Sequence, residues 1–129
     1  MAGKLYSTPT EAIRNLKDVL TSSSYGWAVY YLGYEPRGVH PPFITLEQNG
    51  GVGLTADTHP IHDFSNIIFI NVYCTVSDNA PILDYIDQIY NILSKMHDKG
   101  FNPPSAISYQ SIETVNSVDH WLFTVEFTG

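Results

Sequence analysis

"FINVYCTVSDNAPILDYIDQIYNIL", Phe69 to Leu93, changes its hydrophobic period part-way along. Up to Val76 the segment is apolar at consecutive positions, the pattern of a strand covered on both faces. From Pro81 the apolar residues fall at helical spacing: Ile82, Leu83, Ile86, Ile89, Tyr90, Leu93 and, just beyond, Met96. Ser77, Asp78 or Asn79 supplies the helix cap, and Pro81 stands in the first turn, where its missing N–H costs nothing. Asp84 and Asp87 lie toward the N-terminal end and Lys95, His97 and Lys99 toward the C-terminal end, as the helix dipole favours, before Gly100 as a C-cap. A strand thus feeds a helix through a short polar turn that has neither a glycine-rich phosphate loop nor a nucleophile.

Working outward, "NIIFINVYCTV" extends the strand back to Asn66 and places it at the centre of a sheet. Before it, "NGGVGLTADTHPIHDFS", residues 49–65, has three glycines and a proline without periodicity, and is expected to be a long loop or arm. "FITLEQ", Phe43 to Gln48, alternates as a strand does, and the aromatic "YGWAVYYLGY", Tyr25 to Tyr34, is expected to be another, pairing antiparallel with it across "EPRGVHPP". At the N-terminus Ser7 or Thr8 is the expected cap of a helix whose buried stripe is Ala12, Ile13, Leu16, Val19 and Leu20. After "FNPPS", "AISYQSIET" and "DHWLFTVEFT" are expected to be two strands joined by "VNSV". Trp121, Phe123, Val125 and Phe127 share one face of the last strand, and His120, Leu122, Thr124 and Glu126 the other.

The expected fold is α+β: an antiparallel or mixed sheet of about four to five strands with two helices packed on it. The order is helix, strand, strand, strand, helix, strand, strand. The 129 residues make one domain, spanning 1–129 and carrying the long loop at 49–65. A chain of this length buries roughly 65 to 70% of its unfolded surface, enough for a real core without staples.

Composition narrows the function. Thirteen acidic residues against six basic ones give a net charge of −7, which opposes binding to phosphate backbones. No Lys or Arg occurs between Arg37 and Lys95 or after Lys99. Cys74, the single cysteine, cannot form an internal disulfide and lies in an apolar strand, so it is a buried thiol suited to a reducing compartment. There is no apolar run of a signal peptide or a membrane helix, so the chain is expected to be soluble and cytoplasmic in synthesis.

Asp57, His59, His62 and Asp63 are the only clustered metal-ligand types, with His59 and His62 three residues apart. Pro60 interrupts any helix that would hold that spacing and no third ligand set converges, so solvated loop histidines are the favoured reading. No hydrolase, kinase or thiol-redox motif is present. Tyr25, Trp27, Tyr30, Tyr31 and Tyr34 resemble a base-stacking platform, but only Arg37 is near, so core or protein-interface use fits them better.

The element order, with "IIFINVYCTVSDNAPILDYIDQIYNIL" feeding a helix and the closing "SIETVNSVDHWLFTVEF" hairpin, resembles the tail terminator proteins of long-tailed bacteriophages. That resemblance implies a structural virion protein, not an enzyme, with no cofactor and no metal. Subunits would form a ring, usually a hexamer, at the head-proximal end of the tail, assembled in the host cytoplasm. The ring would cap the tail tube protein, meet the head connector or completion protein, and let DNA pass without specific binding or any membrane contact. On this expectation the subunit and partner contacts are Gly50, Gly51, Gly53, Leu54, Trp27, Tyr30 and Tyr34. The channel-side acids are Glu47, Asp57, Asp63 and Glu126, with the sheet or its loops inward and the helices outward. Another neck or tail-completion protein, a cellular interaction module and, more distantly, a metal-dependent enzyme using His59 and His62 are the alternatives.

Overall fold

Helix α1, Glu11–Thr21, buries the predicted stripe Ala12, Ile13, Leu16, Val19 and Leu20 while Arg14 and Asp18 stay exposed. The computed structural model describes residues 10–53, 64–75, 81–100 and 103–128. The expected cap residues Ser7 and Thr8 lie outside these; the helix begins at Glu11 with Thr10 at the cap position, which makes no side-chain cap bond. "TSSS" ends the helix by covering its last carbonyls. Ser22 donates from both its backbone N–H (2.9 Å) and its hydroxyl (2.7 Å) to the Asp18 carbonyl, and the Ser23 hydroxyl donates to Leu20 (2.9 Å).

Strand β1 is Val29–Tyr31, β2 is Phe43–Gly53 and β3 is Phe64–Thr75. Helix α2, Pro81–Ser94, follows, then a 3-10 turn at Met96–Lys99, β4 at Ala106–Val115 and β5 at Val118–Thr128. The α2 helix stops short of the expected Lys99, because Lys95 leaves helical geometry (φ −108°, ψ 17°) and the chain tightens to bury Met96. Gly100 closes that turn in the left-handed conformation, φ 85°, as expected of a C-cap.

The five strands form one mixed sheet in the order β1-β2-β3-β5-β4, an α+β fold with the expected element order. Three expectations about the strands are corrected. The strand expected over Tyr25–Tyr34 shrinks to three residues and pairs parallel with β2, Val29 beside Ile44 and Tyr31 beside Leu46. The proline- and glycine-containing connection at 32–42 is long enough to carry the chain back to the starting end, so no hairpin is imposed. The glycine-rich 49–65 segment is not loop throughout: β2 continues to Gly53 and β3 starts at Phe64. The sheet absorbs it through a bulge between Gln48 and Gly51, where Gly50 takes φ 117°.

The third correction concerns β3. It is central, flanked by β2 and β5, but both helices lie on one face of the sheet, so its other face has no second layer among the described residues. Ile68, Ile70, Val72 and Cys74 are buried beneath the helices, whereas Ile67, Phe69 and Tyr73 are half-buried on the open side. Consecutive apolar residues arise here because β3 turns Ile67, Phe69 and Tyr73 to the open side as well.

The core is one cluster joining the α1 stripe and Ile86, Ile89, Ile92, Leu93 and Met96 to Ile44, Leu46, Ile68, Ile70, Val72, Phe123, Val125 and Phe127. Each such side chain contributes about 1.5–3 kcal/mol through burial. The β4–β5 hairpin turns at Asn116 and Ser117, both at positive φ (51° and 64°), the two-residue geometry whose twist matches the strands.

Candidate functional site

On the open face the strand register builds rows across the sheet. Phe43 lies beside Tyr73 and Tyr73 beside His120, giving a stacked column with ring centroids 4.7 and 4.5 Å apart. His120 Nε2 lies 2.8 Å from Asn71 Oδ1; since that oxygen only accepts, Nε2 carries the proton and donates. Burial holds the His120 pKa below its ordinary value, against the opposing pull of Glu113. Burial raises the Tyr73 phenol; the nearby Thr45 hydroxyl counters this, and Glu35, Glu113 and Glu47 add to the rise. Both shifts favour the neutral forms of these two packed rings.

Beyond the row Thr45, Asn71 and Leu122, Glu47 lies beside Phe69, which in turn faces Thr124, and Glu126 lies beside Ile67 and Ala106. The two expected channel-side acids on described residues thus share the open face. The five strands contain no Lys or Arg; their charged residues are Glu47, Glu113, Asp119 and Glu126. Cations lie instead on α1 (Arg14, Lys17), in the β1–β2 connection (Arg37) and after α2 (Lys95, Lys99).

The sheet's outer edges hold most of the exposed apolar groups. Strand β4 is exposed along nearly its whole length, with Tyr109 at 54%, Ile112 at 43% and Val115 at 51%. Ile112 is the extra residue of a bulge, because Ser111 faces Trp121 and Glu113 faces His120. At the opposite edge Leu32 (46%) and Tyr34 (81%) stand just past β1. An open recess of about 430 Å³ lies there, lined by Ile13, Arg14, Tyr31, Leu32, Leu46 and Glu47 among others. Leu83 and Tyr90, seven residues apart on α2, make a third exposed apolar strip.

Of the expected contact residues, Tyr34 is strongly exposed and Tyr30 is half-buried on the open face beside Thr45. Trp27 is corrected to a core residue: only 5% exposed, it packs edge-on against Tyr85 at 4.9 Å because the sheet begins two residues later and draws it under the helices. Gly50, Gly51 and Gly53 sit on the β2–β3 arm. Leu54, Asp57, His59, His62 and Asp63 lie outside the described residues. The exposed β4 strip went unread in the sequence. Its signal was present, since "AISYQSIETV" has neither lysine nor proline, but the sequence does not disclose that β4 is an edge strand.

Among the described residues no group of three or more His, Cys, Asp or Glu side chains could hold a metal ion. His97 pairs locally with Asp98 at 3.0 Å on an exposed turn, and His40 is exposed. Cys74 is buried, its thiol pushed up to about 11 by desolvation and then by Asp119. No helix of the described residues is long and apolar enough to cross a membrane. No family model matches this chain, and no curated protein matches it.

Proposed function

We propose that this protein is a structural subunit of the tail terminator type, one copy of a ring that caps a phage tail tube and offers the surface joined by the head. The observation that carries the proposal is the acidic character of the sheet. Every charged strand residue is acidic and Glu47 and Glu126 share the face left uncovered, while the described cations sit on α1, in the β1–β2 connection and after α2. A ring with this sheet inward presents DNA with a wall that releases no counterions and so does not hold the duplex.

The experiment is end-capping. Mixed with polymerising tail tube protein from the same phage, the purified chain should bind one end of the tubes as a ring visible by electron microscopy and arrest their growth. It should show no retention of duplex DNA at physiological salt. Tubes that lengthen unchanged with no density at either end, or tight DNA binding, would overturn the proposal.

A further inference from the structure

Two helices cannot roof five strands. Helices pack about 8–10 Å apart and strands lie about 4.8 Å apart, so a pair of helices covers about four strands. Helix α1 lies against β1 and β2, and α2 lies against β3, the middle of the order β1-β2-β3-β5-β4. The strip left bare on the helical side is therefore β4 with the adjoining Trp121 of β5. There the Tyr109 ring lies 5.6 Å from Phe123 and 6.4 Å from Trp121, and Ile107 and Trp121 are half-buried beside it.

The flank of α2 that overlooks this strip is apolar as well. Its α1-facing flank is marked by Asn91, which donates to the Tyr25 hydroxyl, and by Ile92 and Lys95, which line the cleft there with Val19. At about 100° per residue Leu83 and Tyr90 fall on the opposite flank, and Leu83 is 63% exposed. Wall and floor together make a groove about one helix wide, with Leu83 and Tyr90 at its side and Ile107, Tyr109 and Trp121 beneath.

The charge around the groove has one sign. Asp87, one turn on from Leu83, is exposed on the rim, and Asp84 lies on the solvent ridge of α2. Asp119, which accepts from the Thr114 hydroxyl, stands beside Cys74 near the strand end that leads into α2. Neither α2, β4 nor β5 contains Lys or Arg; Lys95 lines the α1-side cleft and Lys99 follows in the turn beyond α2. Glu113, His120 and Glu126 belong to the open face.

The area selects the occupant. Tyr90 and Tyr109 are each 54% exposed. On side chains of about 150–250 Å² that is about 100 Å² apiece, and the whole groove offers about 300–400 Å². This is no more than about half of the roughly 800 Å² per partner in a stable complex of folded chains. A second copy would also set Asp87 and Asp119 against their like. We infer that the groove is a docking site for a single amphipathic helix of a partner protein, apolar at i, i+3, i+4 and i+7 and carrying Lys or Arg along its flanks. That helix completes the layer α1 and α2 leave unfinished. The groove lies on the face opposite Glu47 and Glu126, so its occupancy is independent of the ring reading.

The probe is a capped leucine–lysine helix of that pattern, about 18 residues or five turns long. It is titrated into the whole protein at physiological salt with Trp121 emission as the signal, Trp27 being buried in the core. One-to-one binding with a blue shift is expected. Leu83→Ser and Tyr109→Ser, at exposed positions where circular dichroism should match the parent protein, should each weaken binding about tenfold, as should Asp87→Lys. Glu113→Lys, the same change of charge on the opposite face, should leave it unchanged. An equal loss with Glu113→Lys would mean attraction by net charge alone and overturn the inference. So would no saturable binding, tighter binding of a leucine–glutamate helix of the same pattern, or a dimer of the protein alone that Leu83→Ser dissolves. Tube capping is read separately and stands or falls by its own experiment.

Discussion

Adjacent isoleucines on β3 test the one-sided covering of the sheet. Ile68 is fully buried beneath the helices beside Val125, while Ile67, next to it in the chain, is half-buried on the open face beside Glu126. Changing Ile68 to Ala removes three carbons worth about 0.8 kcal/mol each by transfer and leaves an enclosed cavity, so the cost is about 3–4 kcal/mol. Changing Ile67 to Ala removes the same atoms from a site that water can refill, and costs about 1 kcal/mol. In urea, with an m-value of about 2 kcal/mol/M, the midpoints should fall by about 1.7 M and about 0.5 M respectively. The assay is equilibrium denaturation followed by circular dichroism on dilute, unassembled protein. Equal losses at the two positions would refute the reasoning, because they would mean that the isolated subunit covers both faces of β3.

Three further outcomes follow from the described groups. The unfolded chain binds a proton at His120 near the ordinary 6.5 and the folded chain only at lower pH, so stability should decline as pH falls through that value. Thermal midpoints between pH 8 and 5 check this, and His120→Gln should flatten the slope; an unchanged slope would assign it elsewhere. With its thiol at about 11 rather than 9.0, Cys74 carries roughly a hundredfold less thiolate at pH 8. It should resist a disulfide reagent until denaturant is added, and prompt labelling of the native protein would contradict its burial. Gly100→Ala forces a side chain into φ 85° and should cost about 1 kcal/mol in the same urea assay, with Gly100→Asn milder.

Much of the architecture could be read from local periodicity. The α1 stripe and the alternation of Phe123, Val125 and Phe127 are each visible within a dozen residues and are buried as the pattern requires; of the expected α2 stripe Ile86, Ile89, Leu93 and Met96 are buried, whereas Leu83 and Tyr90 face outward. What escaped depends on partners distant in the chain. Tyr25–Tyr34 has strand-like composition along its length, yet only Val29–Tyr31 finds β2 beside it. Glycines at 50, 51 and 53 argue locally for a loop, but pairing to β3 outweighs their poor strand propensity. Ile67, Phe69 and Tyr73 read as doubly buried because apolar residues facing water or a partner look the same in sequence as apolar residues facing a helix. That Glu47 and Glu126 are acids on strands is legible from charge and alternation, whereas the place of β4 and its exposed Ile112 at a sheet edge follows only from the order β1-β2-β3-β5-β4.

That order also bears on how the chain survives its own synthesis. The middle strand β3 takes its second neighbour from β5, and even the nearest pair, Thr75 and Val118, is more than forty residues apart. At about 5–20 residues per second, a ribosome delivers β5 some two to nine seconds after β3. In that interval the most apolar strand has only β2 beside it, whereas the β4–β5 hairpin, once made, closes on its own within microseconds. Vectorial folding thus leaves a nascent intermediate with a greasy, unzipped flank at its centre, the kind of surface that holdase chaperones shield.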